Sequence, residues 1–363
     1  MIKGHGGNIH DLAGRLGCDA SEIIDMSSNV NPFGPPPGLV DYLKRHILKI
    51  NALPEVDARS ASSAFSDRYG INRDRVLAGN GTTQFIYSIP RLLQAKRVLI
   101  VGPTYADYAD GCRMHGISFT YYFTEASNSF QLILNELKRL LHGVDTVFVC
   151  NPNNPTGVLW PRETLLNLIS DHPSIRFVVD ESYLPFVTDG DEESLLQTER
   201  SNLLILHSLS KIFRIPGLRI GFLIAPKAII DTFYTYLLPW NVNSLSLCAV
   251  QYLMANKAET ESFIRSSRDR IMLERALLMD TVSKYSHITV YPSTTSFVLV
   301  RLKEGITAED MVEYFSLRKI MIRNCANFEG LSNRYIRISL KTRDANQTAA
   351  RLLLDMVEGE KTR

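Results

Sequence analysis

Short apolar runs, each stopping at a cluster of polar residues, constrain this sequence more than any other feature. VLIV (98–101), TVFVC (146–150), RFVVDE (176–181), LLILHS (203–208) and GFLIA (221–225) recur between about Leu43 and Lys227. Each has the length of a strand and is continuously apolar rather than alternating, so both faces of such a strand need cover. Amphipathic stretches such as PRETLLNLISDH (161–172) lie between several of them. The alternation predicts an α/β fold with a mainly parallel sheet sandwiched by helices. Ligands of such sheets sit at the carboxyl ends of the strands, which is where the polar clusters fall.

The pattern changes after Pro239 and Trp240. A helical region over about 244–284 leads to a strand at 295–302, a helix at 308–319, and strands near 320–324 and 334–340. The segment NPFGPPPG (31–38) reads as a rigid connector that is neither helix nor strand. The expected division is an N-terminal arm (1–42) packed with the smaller domain, a large domain (43–238), and a linking helix with a small α+β domain (239–363).

Bulk properties exclude several function classes. Lys plus Arg number 40 against 38 Asp plus Glu, so no broad basic surface for nucleic acid is implied. No apolar run approaches the roughly 20 residues of a membrane span, and the N-terminus lacks an apolar signal core. The five cysteines, Cys18, Cys112, Cys150, Cys248 and Cys325, are scattered with no CxxC pair, so neither a metal site nor a disulfide framework is expected. A cytoplasmic enzyme is the default.

The polar clusters carry the chemistry. After TVFVC comes NPNNPTG (151–157); after FVV come Asp180, Glu181, Ser182 and Tyr183; after LLIL come His207, Ser208, Leu209, Ser210 and Lys211, with Arg219 eight residues beyond. A Schiff-base cofactor such as pyridoxal 5′-phosphate (PLP) needs such a set. It requires a lysine with a depressed pKa, a carboxylate facing the pyridine nitrogen, donors to the ring oxygen, and hydroxyls with an arginine for the phosphate. Lys211, Asp180, Asn154 with Tyr183, and Ser208 with Arg219 fit those roles in order. In AGNGTTQ (78–84), Gly81, Thr82 and Thr83 open an apolar helical stretch and offer backbone N–H groups to the same phosphate. Tyr105 in PTYADY is a ring-stacking platform. Singly, each piece has a plainer reading: NPNNPTG as a turn, Asp180 as a helix cap, Tyr105 as core. Together, in one order and each at a strand end, they favour the cofactor reading.

The set resembles the fold-type I PLP enzymes of the aspartate-aminotransferase-like fold, in the branch containing the histidinol-phosphate aminotransferases. GNGTTQ, PTYADY, CNPNNPTG, DESY, SLSK and PGLRIGF carry that resemblance over nearly the whole chain. It implies Lys211 as the Schiff-base lysine and Asp180 as the pyridinium partner. Asn154 and Tyr183 become the ring-oxygen ligands, Ser208, Ser210, Arg219, Gly81 and Thr82 the phosphate ligands, and Arg337 in YIRISL the grip on the substrate α-carboxylate. Within the branch, HGGNI (5–9), SSNVNPFG (27–34), PWNVNSL (239–245) and RNCANFEGL (323–331) resemble the threonine-phosphate decarboxylases.

That narrower resemblance implies decarboxylation of a small phosphorylated amino acid in cobalamin biosynthesis. Arg323 would lie near the substrate phosphate, His5, Gly6 and Asn29 would close the pocket from the N-terminal arm, Asn154 would also touch the substrate, and the family habit is a homodimer. Plainer readings remain for three of these segments' residues: His5 solvated, Arg323 in a surface ion pair, and Cys325 as a small packing residue. Many relatives place a tyrosine where ALPE (52–55) puts Leu53. Two rivals share much of this sequence. An aminotransferase would use the same cofactor residues, and a non-catalytic sensor would carry a DNA-binding segment ahead of the fold.

Overall fold

The computed structural model describes residues 6–285 and 287–359. A two-residue strand, β1 (Ile24–Asp25), precedes seven strands that form the main sheet. These are β2 (Val76–Gly79), β3 (Arg97–Gly102), β4 (Ser118–Phe123), β5 (Thr146–Cys150), β6 (Arg176–Asp180), β7 (Leu203–Ser208) and β8 (Gly221–Ile224). Their order is β2-β8-β7-β6-β5-β3-β4, parallel except for β8, which runs against both neighbours. Every residue of β5 and β7 is buried, as their unbroken apolar runs require. Each fully buried Val, Leu or Ile contributes about 1.5–3 kcal/mol, so the centre of this sheet is the most firmly held part of the chain. Helix Arg59–Tyr69 lays Phe65 on Phe222 of β8 with ring centroids 4.1 Å apart.

Two strands of this sheet, β2 (VLAG) and β4 (SFTYYF), are not among the apolar runs. β2 is short, and β4 is an edge strand whose residues are mostly half-buried or exposed, so its apolar signal is diluted.

Beyond the main sheet lie β9 (Ile288–Val290), β10 (Phe297–Leu302), β11 (Ile320–Met321), β12 (Arg323–Asn324) and β13 (Tyr335–Ser339). Four of them form an antiparallel sheet ordered β12-β13-β10-β9, while β1 pairs in parallel with β11. Three expectations need correction here. The helical region over 244–284 is two helices, Ser244–Ala255 and Lys257–Ser283, because Asn256 leaves helical geometry (ψ 59°). The helix expected to run to 319 is Ala308–Ser316; it starts on a Thr307–Asp310 capping box, and the left-handed Lys319 (φ 58°) turns the chain into β11. Finally, Pro37 and Gly38 belong to helix Pro37–Arg45, since a proline at the first helical position forfeits no intrahelical bond.

Candidate active site

Six parallel strands end at one edge of the main sheet, and β8, running the other way, begins there. The loops after β2, β3, β5, β6 and β7 and the turn before β8 therefore converge. They enclose a cavity of about 240 Å³. It is lined by Gly81, Thr82, Thr83, Tyr105, Asn154, Asp180, Tyr183, Ser208, Ser210, Lys211 and Arg219 from the main sheet's loops. The second sheet adds Arg323 and Arg337, and the N-terminal arm adds Gly6 and Asn29. His5 lies outside the described residues.

Local geometry explains the placement. Gly81 is the N-cap of helix Thr82–Leu92 at φ 75°, a conformation that favours glycine. A Cβ there would meet Arg219 Nη2 at 2.6 Å, so the missing side chain leaves room for the guanidinium over the helix N-terminus. Arg219 itself has a left-handed backbone (φ 57°), the kind of local strain that a functional position retains. Asn29 joins the arm to the site: Ser339 Oγ donates to its Oδ1 (2.6 Å), and its Nδ2 donates to Tyr183 Oη (3.3 Å).

Among the lining residues Lys211, Arg219, Arg323 and Arg337 are cationic, whereas Asp180 is the one carboxylate. Burial lowers the Lys211 pKa to about 8, helped by Arg219 and Arg337 and opposed by Asp180. Burial raises Asp180, while the Ser182 N–H (2.9 Å) and the Tyr108 hydroxyl (2.8 Å) donate to its two oxygens and favour its charged form. Burial pushes the Tyr183 phenol up to about 12, with Arg337 and Asn29 working against it.

Arg323 and Arg337 occupy directly opposite positions on the antiparallel strands β12 and β13. Like charges so placed repel, and burial lowers both pKa values, that of Arg323 to about 10. Arg323 donates to Asn327 Oδ1 (2.7 Å) and to Asn324 O, and its guanidinium lies 5.0 Å from the Phe328 ring centroid. Arg337 donates to Asn154 Oδ1 and to Ser27 O (2.5 Å), and its Nε is buried without a partner. The arrangement calls for anions.

Residues 21–353 match the profile of the family described as aminotransferase class I and II. The chain belongs to that family. It is 31% identical, over 94% of its length, to an adenosylcobalamin biosynthesis bifunctional protein of Leptospira interrogans, of whose length it spans 40%. It is 29% identical to the threonine-phosphate decarboxylase of Salmonella typhimurium, covering 98% of this chain and 97% of that one. The crystal structure of L-threonine-O-3-phosphate decarboxylase from Porphyromonas gingivalis superposes with a TM-score of 0.82 at 30% identity, covering 93% of this chain and all of that one.

The cofactor of this aminotransferase family is PLP, and the donor set fits it. The cavity offers a buried amine of lowered pKa, a buried carboxylate, and a glycine cradle at a helix N-terminus beside an arginine.

Ser27, Ser28, Ile86, Tyr108, Cys150, Ser182 and Phe328 also line the cavity, and none is among the expected site residues. Ser182 and Tyr108 sit inside quoted motifs, where a hydroxyl one or three residues from a recognised position was a usable signal. Ser27 and Ser28 open the quoted SSNVNPFG beside Asn29, but they reach the site only through the fold of the arm. Cys325 is buried, with its thiol pushed up to about 11 by burial, which suits packing. A larger cavity, about 850 Å³, lies behind the loops of Tyr183 and Lys211. Much of its charge is neutralised internally, by Arg68 with Glu261 and Arg268 with Asp191.

Proposed function

We propose that the chain decarboxylates L-threonine O-3-phosphate to (R)-1-amino-2-propanol O-2-phosphate, as a PLP-dependent lyase of cobalamin biosynthesis. The facing of Arg323 and Arg337 carries this reading. Directly opposed residues on antiparallel strands have Cα atoms roughly 4.5–5.5 Å apart. A buried guanidinium (Arg337) and a half-buried one (Arg323) so placed suit one compact substrate bearing two anionic groups.

In this reading Lys211 carries the cofactor, Asp180 faces its ring nitrogen, and Asn154 and Tyr183 its ring oxygen. Gly81, Thr82, Thr83, Ser208, Ser210 and Arg219 hold its phosphate, and Tyr105 stacks on its ring. When bound, the cofactor supplies an electron sink for the pair left behind when a bond at the substrate Cα breaks. Arg337 holds the α-carboxylate and Arg323 the phosphate ester, which fixes the substrate between them. Loss of the carboxylate as CO₂ leaves Cα short of one proton, which Lys211 Nζ would deliver. Gly6 and Asn29 close the arm over the substrate and limit water.

We also read the chain as an arm (1–42), a large domain (43–238) and a small domain (239–363), assembled as a cytoplasmic homodimer. An apolar surface supports the dimer: Leu48, Leu53 and Leu238 are 73–74% exposed, beside exposed Ile50, Tyr236 and Trp240. The Trp240 N–H donates to Val56 O (2.9 Å), so the two segments form one patch. Continuous exposed apolar patches mark contact surfaces. Among the described residues no helix is long and apolar enough to cross a membrane.

A two-substrate assay on PLP-loaded protein tests the proposal. One molecule of CO₂ per L-threonine O-3-phosphate consumed, with no amino-group exchange, is expected. Glutamate formation from 2-oxoglutarate with histidinol phosphate as the amino donor, without CO₂ release, would overturn it.

A further inference from the structure

Asp180 is a carboxylate in a place that disfavours its charge. It is 5% exposed at the end of β6, and burial is the largest influence on its pKa. To face a protonated ring nitrogen it must stay ionised and keep one edge turned to the cavity. Two donors hold it. The Ser182 N–H fixes Oδ1 at 2.9 Å and comes from the backbone of the same turn. The second donor comes from a different strand's loop: Tyr108 Oη donates to Oδ2 at 2.8 Å, from helix Asp107–Met114 after β3.

The Tyr108 ring is itself immobilised. It is 1% exposed, stacks on Phe148 of β5 (5.2 Å, 23°), and meets Tyr105 edge-on (5.9 Å, 86°). Burial and the Asp180 charge push its phenol well above its ordinary pKa, so the hydroxyl keeps its proton and acts as a donor. A rigid aromatic ring in this spot could have been phenylalanine if packing were its only task.

We infer that Tyr108 is a positioning residue that acts through Asp180, fixing the carboxylate's orientation and charge so that it holds the cofactor's ring nitrogen protonated. This rests on the PLP reading above. A hydrogen bond given to a carboxylate favours its ionised form. Without it, the Asp180 carboxyl moves toward neutrality, the ring nitrogen toward its unprotonated state, and the electron sink weakens.

Tyr108→Phe keeps the ring and its contacts and removes the oxygen. In enzyme loaded with ¹⁵N-labelled PLP, the pyridine nitrogen resonance of Y108F is expected to move from the protonated toward the unprotonated position. A pKa displacement of about one unit corresponds to a factor of ten, so kcat should fall about tenfold or more, with KM for the phosphorylated substrate nearly unchanged. Borohydride trapping of the cofactor on Lys211 should persist. An unmoved nitrogen resonance in Y108F with Lys211 trapping intact would overturn this inference alone. Failure of the wild-type protein to trap PLP at Lys211 would overturn the underlying reading instead.

Discussion

The two sheets meet at one cavity but build their halves of it by different means. The seven-stranded sheet presents its polar residues at strand ends and on the loops that follow, each anchored by a strand buried in all but at most its first residue. The four-stranded sheet presents Arg323 and Arg337 within the strands themselves, side by side in register. A strand end exposes backbone N–H groups and lets short side chains such as Ser208 and Asn154 converge on a ligand from several directions. A strand interior fixes the spacing between two long side chains. The first device suits a cofactor with many donor needs around it, and the second suits a substrate defined by two anions. On the proposed reading, the chemistry and the choice of substrate reside on separable elements.

The largest effect should come from the main sheet. Lys211→Ala is expected to lower turnover by about 10³-fold or more and to abolish borohydride trapping of PLP, because the covalent attachment and the Cα proton donor are lost together. Mass mapping of the trapped peptide checks the attachment. Next, Arg337→Ala should reduce kcat/KM by about 100-fold while cofactor affinity stays near wild type. Equal loss of both would break the separation between the two sheets. Arg219→Ala should do the converse: weaken PLP binding about tenfold and, at saturating PLP, leave the substrate KM close to normal. Equilibrium dialysis against PLP together with initial rates distinguishes the two arginines.

A smaller effect concerns the opposite face of β7. His207 is buried, its Nδ1 has no hydrogen-bond partner, and burial lowers its pKa from 6.5 to about 4. The folded state therefore binds fewer protons than the unfolded chain between those two pH values. His207 thus contributes stability that is present above about 6.5 and is lost as pH falls through about 4. That contribution is on the order of 2–3 kcal/mol. The same strand carries Ser208 to the cofactor cavity, so acid weakens the scaffold of the site. Unfolding free energies of wild type and His207→Phe, measured from pH 7 to 4, should show a shallower decline for the variant.

Much of this was legible in the residues, for reasons that differ between the two sheets. Continuous apolar runs announce buried parallel strands, and motifs such as NPNNPTG and SLSK mark the ends of those strands because turn chemistry is local. Lys211, Asp180, Asn154 and Arg219 were therefore readable, and the structure brings them together. The edge strand β4 was not, since its partial exposure erases the apolar signal. Tyr108 lies within the quoted PTYADY, but its partner was not legible there: its role depends on a hydroxyl crossing from one loop to a carboxylate 72 residues away. Arg323 and Arg337 were named through resemblance, yet their facing registers exist only once β12 pairs with β13. Pairing between strands is a property of the whole fold, and no local pattern encodes it.

The most direct test of the account is the ratio of kcat/KM for L-threonine O-3-phosphate to that for L-threonine, measured for wild type and Arg323→Ala. A charge-assisted hydrogen bond contributes about 1.5–3 kcal/mol, so the wild-type preference for the phosphorylated substrate should shrink by about 10- to 100-fold in the variant. Reactivity toward L-threonine and affinity for PLP should hold steady. A ratio unchanged by R323A would contradict the claim that the second sheet selects the substrate.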